Sequence, residues 1–173
     1  MGHEVSIAKC YRVKRRCKKI IEGDIKEQYH RLWDYVETVR KTNPGSLVKL
    51  KTELGEEAAT EVSRVPKQIT IFHYIYMRLA ALKQGYFSGI RPVIGLDGCH
   101  LKTSMGGQML CAVARDGNEN MFPLAYAVVD IECKESWLWF LGILFEDFSH
   151  PKETGWVLMS DRQKVSLPYL NLN

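Results

Sequence analysis

No apolar run in this chain reaches the roughly 18 to 20 residues that a bilayer-spanning helix needs, so no membrane partner is expected. Nor does Met1-Gly2-His3-Glu4-Val5 have the basic-then-apolar order of a secretory signal. The five cysteines, Cys10, Cys17, Cys99, Cys111 and Cys133, include no C-x-x-C pair. An odd count without a secretory signal argues for reduced thiols inside a cell rather than a disulfide framework. Cys99 and His100 are neighbours, but adjacent strand residues point to opposite faces, which argues against a shared metal. No acidic residue follows Asp161.

What is present suits an ordinary globular domain with an extension: 173 residues, 46% hydrophobic and 25% charged. The net charge of +4 is unevenly spread. Residues 1–51 hold thirteen Lys and Arg against six Asp and Glu, whereas residues 52–173 hold eleven against fourteen. The excess concentrates in residues 9–19, with Arg12, Lys14, Arg15, Arg16, Lys18 and Lys19. Such a run can contact nucleic-acid phosphates or act as a nuclear-import signal. A solvated helix face is the alternative.

Apolar spacing organises the chain. Ile7, Cys10, Tyr11, Cys17, Ile20 and Ile21 predict a helix over 6–21 with its basic residues on the other face. A second helix is expected after Gly23, capped by Asp24 and ended by Thr42-Asn43-Pro44-Gly45. Residues 46–54 alternate in part and suggest a strand, and residues 55–66 read as a polar linker. Helical spacing returns from Gln68 to Gln84, with Gly85 as its end.

Beyond that point the pattern changes. Val93 to Leu96, Gln108 to Ala114 and Met121 to Val129 read as three strands. They are joined by a Thr103–Gly107 turn and an Asp116-Gly117-Asn118 hairpin signal, so antiparallel neighbours are expected. Lys134 to Phe148 reads as an amphipathic helix, and residues 156–160 as a fourth strand parallel to the first. The expected fold is α/β: a partial ribonuclease H-like core over 67–173, preceded by a mainly helical, basic extension over 1–66.

Two of these strands end in aspartate, at Leu96-Asp97 and Ser160-Asp161. If the first and fourth strands are neighbours, the two carboxylates meet. Phosphoryl transfer on a nucleic-acid backbone places charge on attacking and leaving oxygens, and two divalent ions about 4 Å apart stabilise both. Mg²⁺ takes hard oxygen ligands and few of them from protein, so two or three carboxylates suffice. Asp97 and Asp161 are therefore candidate catalytic metal ligands for Mg²⁺ or Mn²⁺. Read singly, Asp97-Gly98 is a common turn and Ser160-Asp161 a common helix cap. Asp130, Glu132 and Glu135 are further acids, but nothing in the sequence places them near the pair. His100, Lys102, Arg162 and Lys164 flank it and are candidate DNA contacts, against the alternative of solvated side chains.

The segments Gly95-Leu96-Asp97-Gly98-Cys99-His100-Leu101-Lys102, Gly106-Gly107-Gln108, Asp116-Gly117-Asn118, Phe122-Pro123-Leu124-Ala125-Tyr126-Ala127-Val128-Val129, Lys134-Glu135-Ser136-Trp137 and Ser160-Asp161-Arg162-Gln163-Lys164 resemble plant Mutator-like (MuDR-type) element transposases. The similarity also covers Glu22-Gly23-Asp24 through Asn43-Pro44-Gly45. The resemblance implies a ribonuclease H-like core with an Asp-Asp-Glu site, nuclear DNA cleavage and strand transfer, and Mg²⁺ or Mn²⁺. By motif position Asp97 and Asp161 match its two aspartates. The chain departs from the pattern at Val165, where a glycine is usual, and Ser166 to Asn173 no longer resembles the family. The third carboxylate maps to no residue here.

A truncated, inactive transposase fragment is thus expected. It would be partnered by DNA and by copies of itself or the full-length enzyme. The alternative is a non-catalytic DNA-binding or regulatory protein derived from one.

Overall fold

A computed structural model describes residues 6–23, 25–57, 67–103, 105–149 and 155–160. The chain divides into two compact units, Met1–Thr38 and Val39–Asn173. The first unit holds helices α1 (Ile7–Glu22) and α2 (Ile25–His30) and most of α3 (Leu32–Thr42). Ser6 caps α1 by accepting from the Lys9 N–H, and Gly23 closes it with a positive φ of 73° and an N–H donated to the Lys19 carbonyl. The single helix expected after Gly23 is two helices, interrupted at Arg31. Its expected cap, Asp24, lies outside the described residues. The helix stops as expected at Thr42, where the Asn43 N–H reaches the Val39 carbonyl and Gly45 adopts φ 83°.

The second unit is built on one six-stranded sheet in the order β1-β2-β5-β4-β3-β6. Its strands are β1 (Leu47–Glu57), β2 (Lys67–Arg78), β3 (Val93–His100), β4 (Gln108–Arg115), β5 (Met121–Val129) and β6 (Val157–Ser160). Helix α4 (Ala80–Phe87) follows β2, and α5 (Lys134–Phe148) joins β5 to β6. Strands β3, β4 and β5 pair antiparallel, and β6 returns parallel beside β3. That part of the topology matches the sequence-based expectation.

Residues 68–84 depart from it. The expected helix is a strand through Arg78, followed by the short helix α4. Ile69, Thr70, Ile71, Tyr74, Ile75 and Tyr76 are β-branched or aromatic and favour a pleated surface. Tyr74 to Arg78 are buried in succession, in a strand that pairs with β1 on one edge and β5 on the other. Continuous burial removes the alternation that would have marked a strand. The expected linker also begins in strand, since β1 runs to Glu57; residues 58–66 lie outside the described residues. Gly85 does not end α4 but sits within it. A Cβ there would stand 2.8 Å from the Phe122 ring, so the glycine permits close helix–strand packing.

One face of the sheet carries the core. Ile94, Leu96, Leu110, Ala112, Ala114, Ala127 and Val129 are buried with Trp137, Phe140, Leu141, Leu144 and Phe148 of α5. A register shift between Ala112 and Val113 accommodates Pro123, which has no N–H to give to the ladder. Helix α5 is capped by a reciprocal pair: Ser136 Oγ accepts from the Cys133 N–H and donates to the Cys133 carbonyl, both at 2.9 Å. The pair also satisfies the hydroxyl of fully buried Ser136.

Candidate functional site

Strand β3 fixes the position of Asp97. Ile94 and Leu96 are buried and alternate with exposed Val93 and Asp97, so the carboxylate lies on the face opposite α5. Its register partner on β4 is Cys111. Burial pushes the Cys111 thiol up to about 11, helped by the neighbouring Cys99 and Asp97 charges. Asp97, Cys99 and Cys111 therefore share this face. The Gly98 N–H donates to Asp97 Oδ1 at 2.8 Å, which restrains the carboxylate's orientation.

On the other edge of β3, the parallel ladder pairs Leu96 with Ser160. These are the residues directly before the two candidate aspartates. Asp161, Arg162 and Lys164 lie outside the described residues. Among the described residues, no three His, Cys, Asp or Glu side chains are grouped to hold a metal ion.

The helix-side face of the same strand end carries a second polar group. The Glu132 carboxylate lies over Gly98, and a Cβ at Gly98 would stand 2.7 to 2.9 Å from its oxygens and carboxyl carbon. The indole N–H of Trp137 donates to Glu132 Oε1 at 3.2 Å. The sequence offered Glu132 as an available acid without a location. A signal did exist in Gly98 itself, because a glycine inside a strand often marks a close approach. Asp130 points elsewhere: its Oδ2 lies 3.4 Å from His73 Nδ1, while His73 Nε2 faces Glu53 at 3.0 Å.

The remaining candidates are placed as follows. His100 is exposed at the end of β3, with its Nδ1 3.1 Å from the Gln108 side-chain amide across the ladder. Gln108 Oε1 is buried without a partner, and turning that amide over would present the oxygen to His100 instead. Lys102 is exposed just beyond the strand. Arg12, Lys14, Arg15, Arg16, Lys18 and Lys19 are all exposed on α1, in the first unit.

Residues 93–171 match the family model of the MULE transposase domain. The match begins at the first residue of β3 and includes Asp97, α5, β6 and Asp161. It supports a Mutator-like transposase family. No curated protein and no solved structure matches the chain.

Proposed function

We propose that the β3–β6 segment derives from a ribonuclease H-like transposase core of the Asp-Asp-Glu type, the kind that acts on nuclear DNA, with Asp97 and Asp161 as its aspartates. The observation that carries this reading is the parallel pairing of Leu96 with Ser160, inside a segment that matches a transposase domain. The residue after each is an aspartate. Asp97 suits Mg²⁺ or Mn²⁺: it is an exposed, hard oxygen donor at a strand end, and one oxygen is already oriented by a backbone N–H. A divalent ion held there would neutralise charge developing on a phosphodiester. Asp97 and Asp161 would hold the ion, while His100 and Lys102 would contact the DNA backbone beside it. Arg162 and Lys164 would extend that contact.

A second reading rests on a separate observation, the exposed cations of α1. It is a non-catalytic DNA-binding or regulatory protein of transposase descent, using Arg12, Lys14, Arg15, Arg16, Lys18 and Lys19. Binding of duplex DNA across a salt series tests both readings. Each phosphate contact steepens the fall of affinity with salt by about 0.9 in the log–log slope for duplex DNA. Replacing Arg15 and Arg16 by alanine is expected to reduce that slope by about 2. An unchanged slope removes α1 from the interface. Mn²⁺ binding that is the same in wild type and Asp97→Asn removes the metal-site reading.

A further inference from the structure

We propose that Glu132 is a positioning residue for Asp97, acting from the opposite face of the sheet through Gly98. The inference rests on the reading of Asp97 as a divalent-metal ligand.

Four contacts in series carry it. Trp137 is 1% exposed and packs edge-on against Phe140, with ring centroids 5.8 Å apart, so its indole is held by the core. A buried indole N–H needs an acceptor, and Glu132 Oε1 takes the bond at 3.2 Å. The carboxylate held in this way occupies the space where a side chain at Gly98 would begin. Gly98 is thus confined between the Glu132 carboxylate on one face and the ladder to Leu110 on β4. Its N–H then donates to Asp97 Oδ1. The orientation of the Asp97 carboxylate is set by the same peptide that Glu132 restrains. A metal ligand whose carboxylate is oriented by a supporting shell binds better than one free to rotate.

The arrangement also explains why a half-buried acid suits position 132. An alanine would leave the Trp137 N–H unsatisfied and open space over Gly98, whereas a glutamine would keep both the acceptor and the volume. Position rather than charge is what Glu132 supplies.

The test is Mn²⁺ binding to the full chain, read from the electron paramagnetic resonance signal of free Mn²⁺. Metal-free melting temperatures are recorded for every variant. Asp97→Asn is expected to lose the site. Glu132→Ala should weaken binding roughly tenfold, the lower end of the range for supporting-shell changes, and Glu132→Gln should restore most of the loss. Trp137→Phe keeps an aromatic ring and removes only the N–H donor, so it should weaken binding in the same direction as Glu132→Ala. Gly98→Ala should also weaken it, and adding Glu132→Ala to that variant should relieve the crowding in the melting temperature. The inference is overturned if Glu132→Ala binds Mn²⁺ like the wild type while Asp97→Asn does not. It is overturned equally if Glu132→Gln is as weak as Glu132→Ala, because charge and not position would then be at work. If Asp97→Asn binds like the wild type, the Asp97 reading itself fails and this one falls with it.

Discussion

Removing Asp147 is expected to be among the most damaging single changes in the second unit. Its carboxylate, 7% exposed, accepts from Arg78 Nε at 2.6 Å and Arg78 Nη2 at 2.8 Å, a two-point pairing with a guanidinium 6% exposed. Lys83 Nζ adds a third bond at 2.9 Å, and Arg78 Nη1 reaches the Gly45 carbonyl at 2.8 Å. The cluster ties α5 to the end of β2, to α4 and to the turn after α3. Burial alone would raise the Asp147 carboxyl, but the bonds and charges of Arg78 and Lys83 outweigh it and hold the group below the ordinary carboxylate range. In Asp147→Ala the Arg78 cation stays buried without its counter-charge. Breaking one side of a buried pair costs about 3–5 kcal/mol. At about 2–4 °C per kcal/mol for a chain of this size, the melting temperature should fall by about 6–20 °C.

The pH dependence has a definite sign. A carboxyl lowered on folding stabilises the protein above its unfolded pKa, about 3.9 for Asp, and that contribution is lost as pH falls through the folded value. The wild type should therefore lose stability in acid faster than Asp147→Ala, and the two unfolding curves should converge as pH falls through the lowered folded pKa of Asp147. Urea unfolding at several pH values, followed by far-UV circular dichroism, measures both effects. A loss under about 1 kcal/mol, the range of an exposed pair, together with parallel pH profiles, would refute the account. The exposed pair Arg31–Glu27 serves as the internal contrast, with side chains 73% and 60% exposed.

Other outcomes are equally specific. Gly85→Ala usually favours a helix by up to about 1 kcal/mol. Here it should destabilise by about 1–3 kcal/mol through overpacking against the Phe122 ring, and Phe122→Leu should recover part of that loss in thermal unfolding. Phe140→Ala, fully buried in the core, should cost about 3–5 kcal/mol; a cost below 1 kcal/mol would mean that α5 does not pack as described. With its thiol pushed up to about 11, Cys111 should resist iodoacetamide at pH 8 while exposed Cys10 and Cys17 are alkylated. Peptide mass spectrometry over a time course decides this, and equal labelling of the three would contradict the burial of Cys111.

Local chemistry made much of the second unit legible. Strands β3, β4 and β5 announce themselves through short apolar runs separated by turn residues, and both turns form. Thr103 accepts from the Gly106 N–H, and Asp116 exchanges backbone bonds across its loop with Asn120 and Glu119. Helix α5 follows from its apolar spacing and α1 from its two-faced pattern. Strand β2 is harder to read, because Tyr74 to Arg78 in its second half are buried in succession and the period of two is lost there. The same local spacing that suggests a helix over 68–84 is overridden by the β-pairing of Tyr74 to Met77 with β5.

The candidate site divides along the same line. Residue identity and spacing alone set out the chemical groups: an aspartate at each of two strand ends, a glycine after the first, and cations along an N-terminal helix. The placement of β6 parallel to β3 was also expected from the order of elements, but it took the folded sheet to show that Asp97 faces away from α5 and that the Glu132 carboxylate takes the space over Gly98. Both depend on residues more than thirty positions apart, brought together by pairing and burial across the sheet; Gly98 signals a close approach but not the partner that makes it.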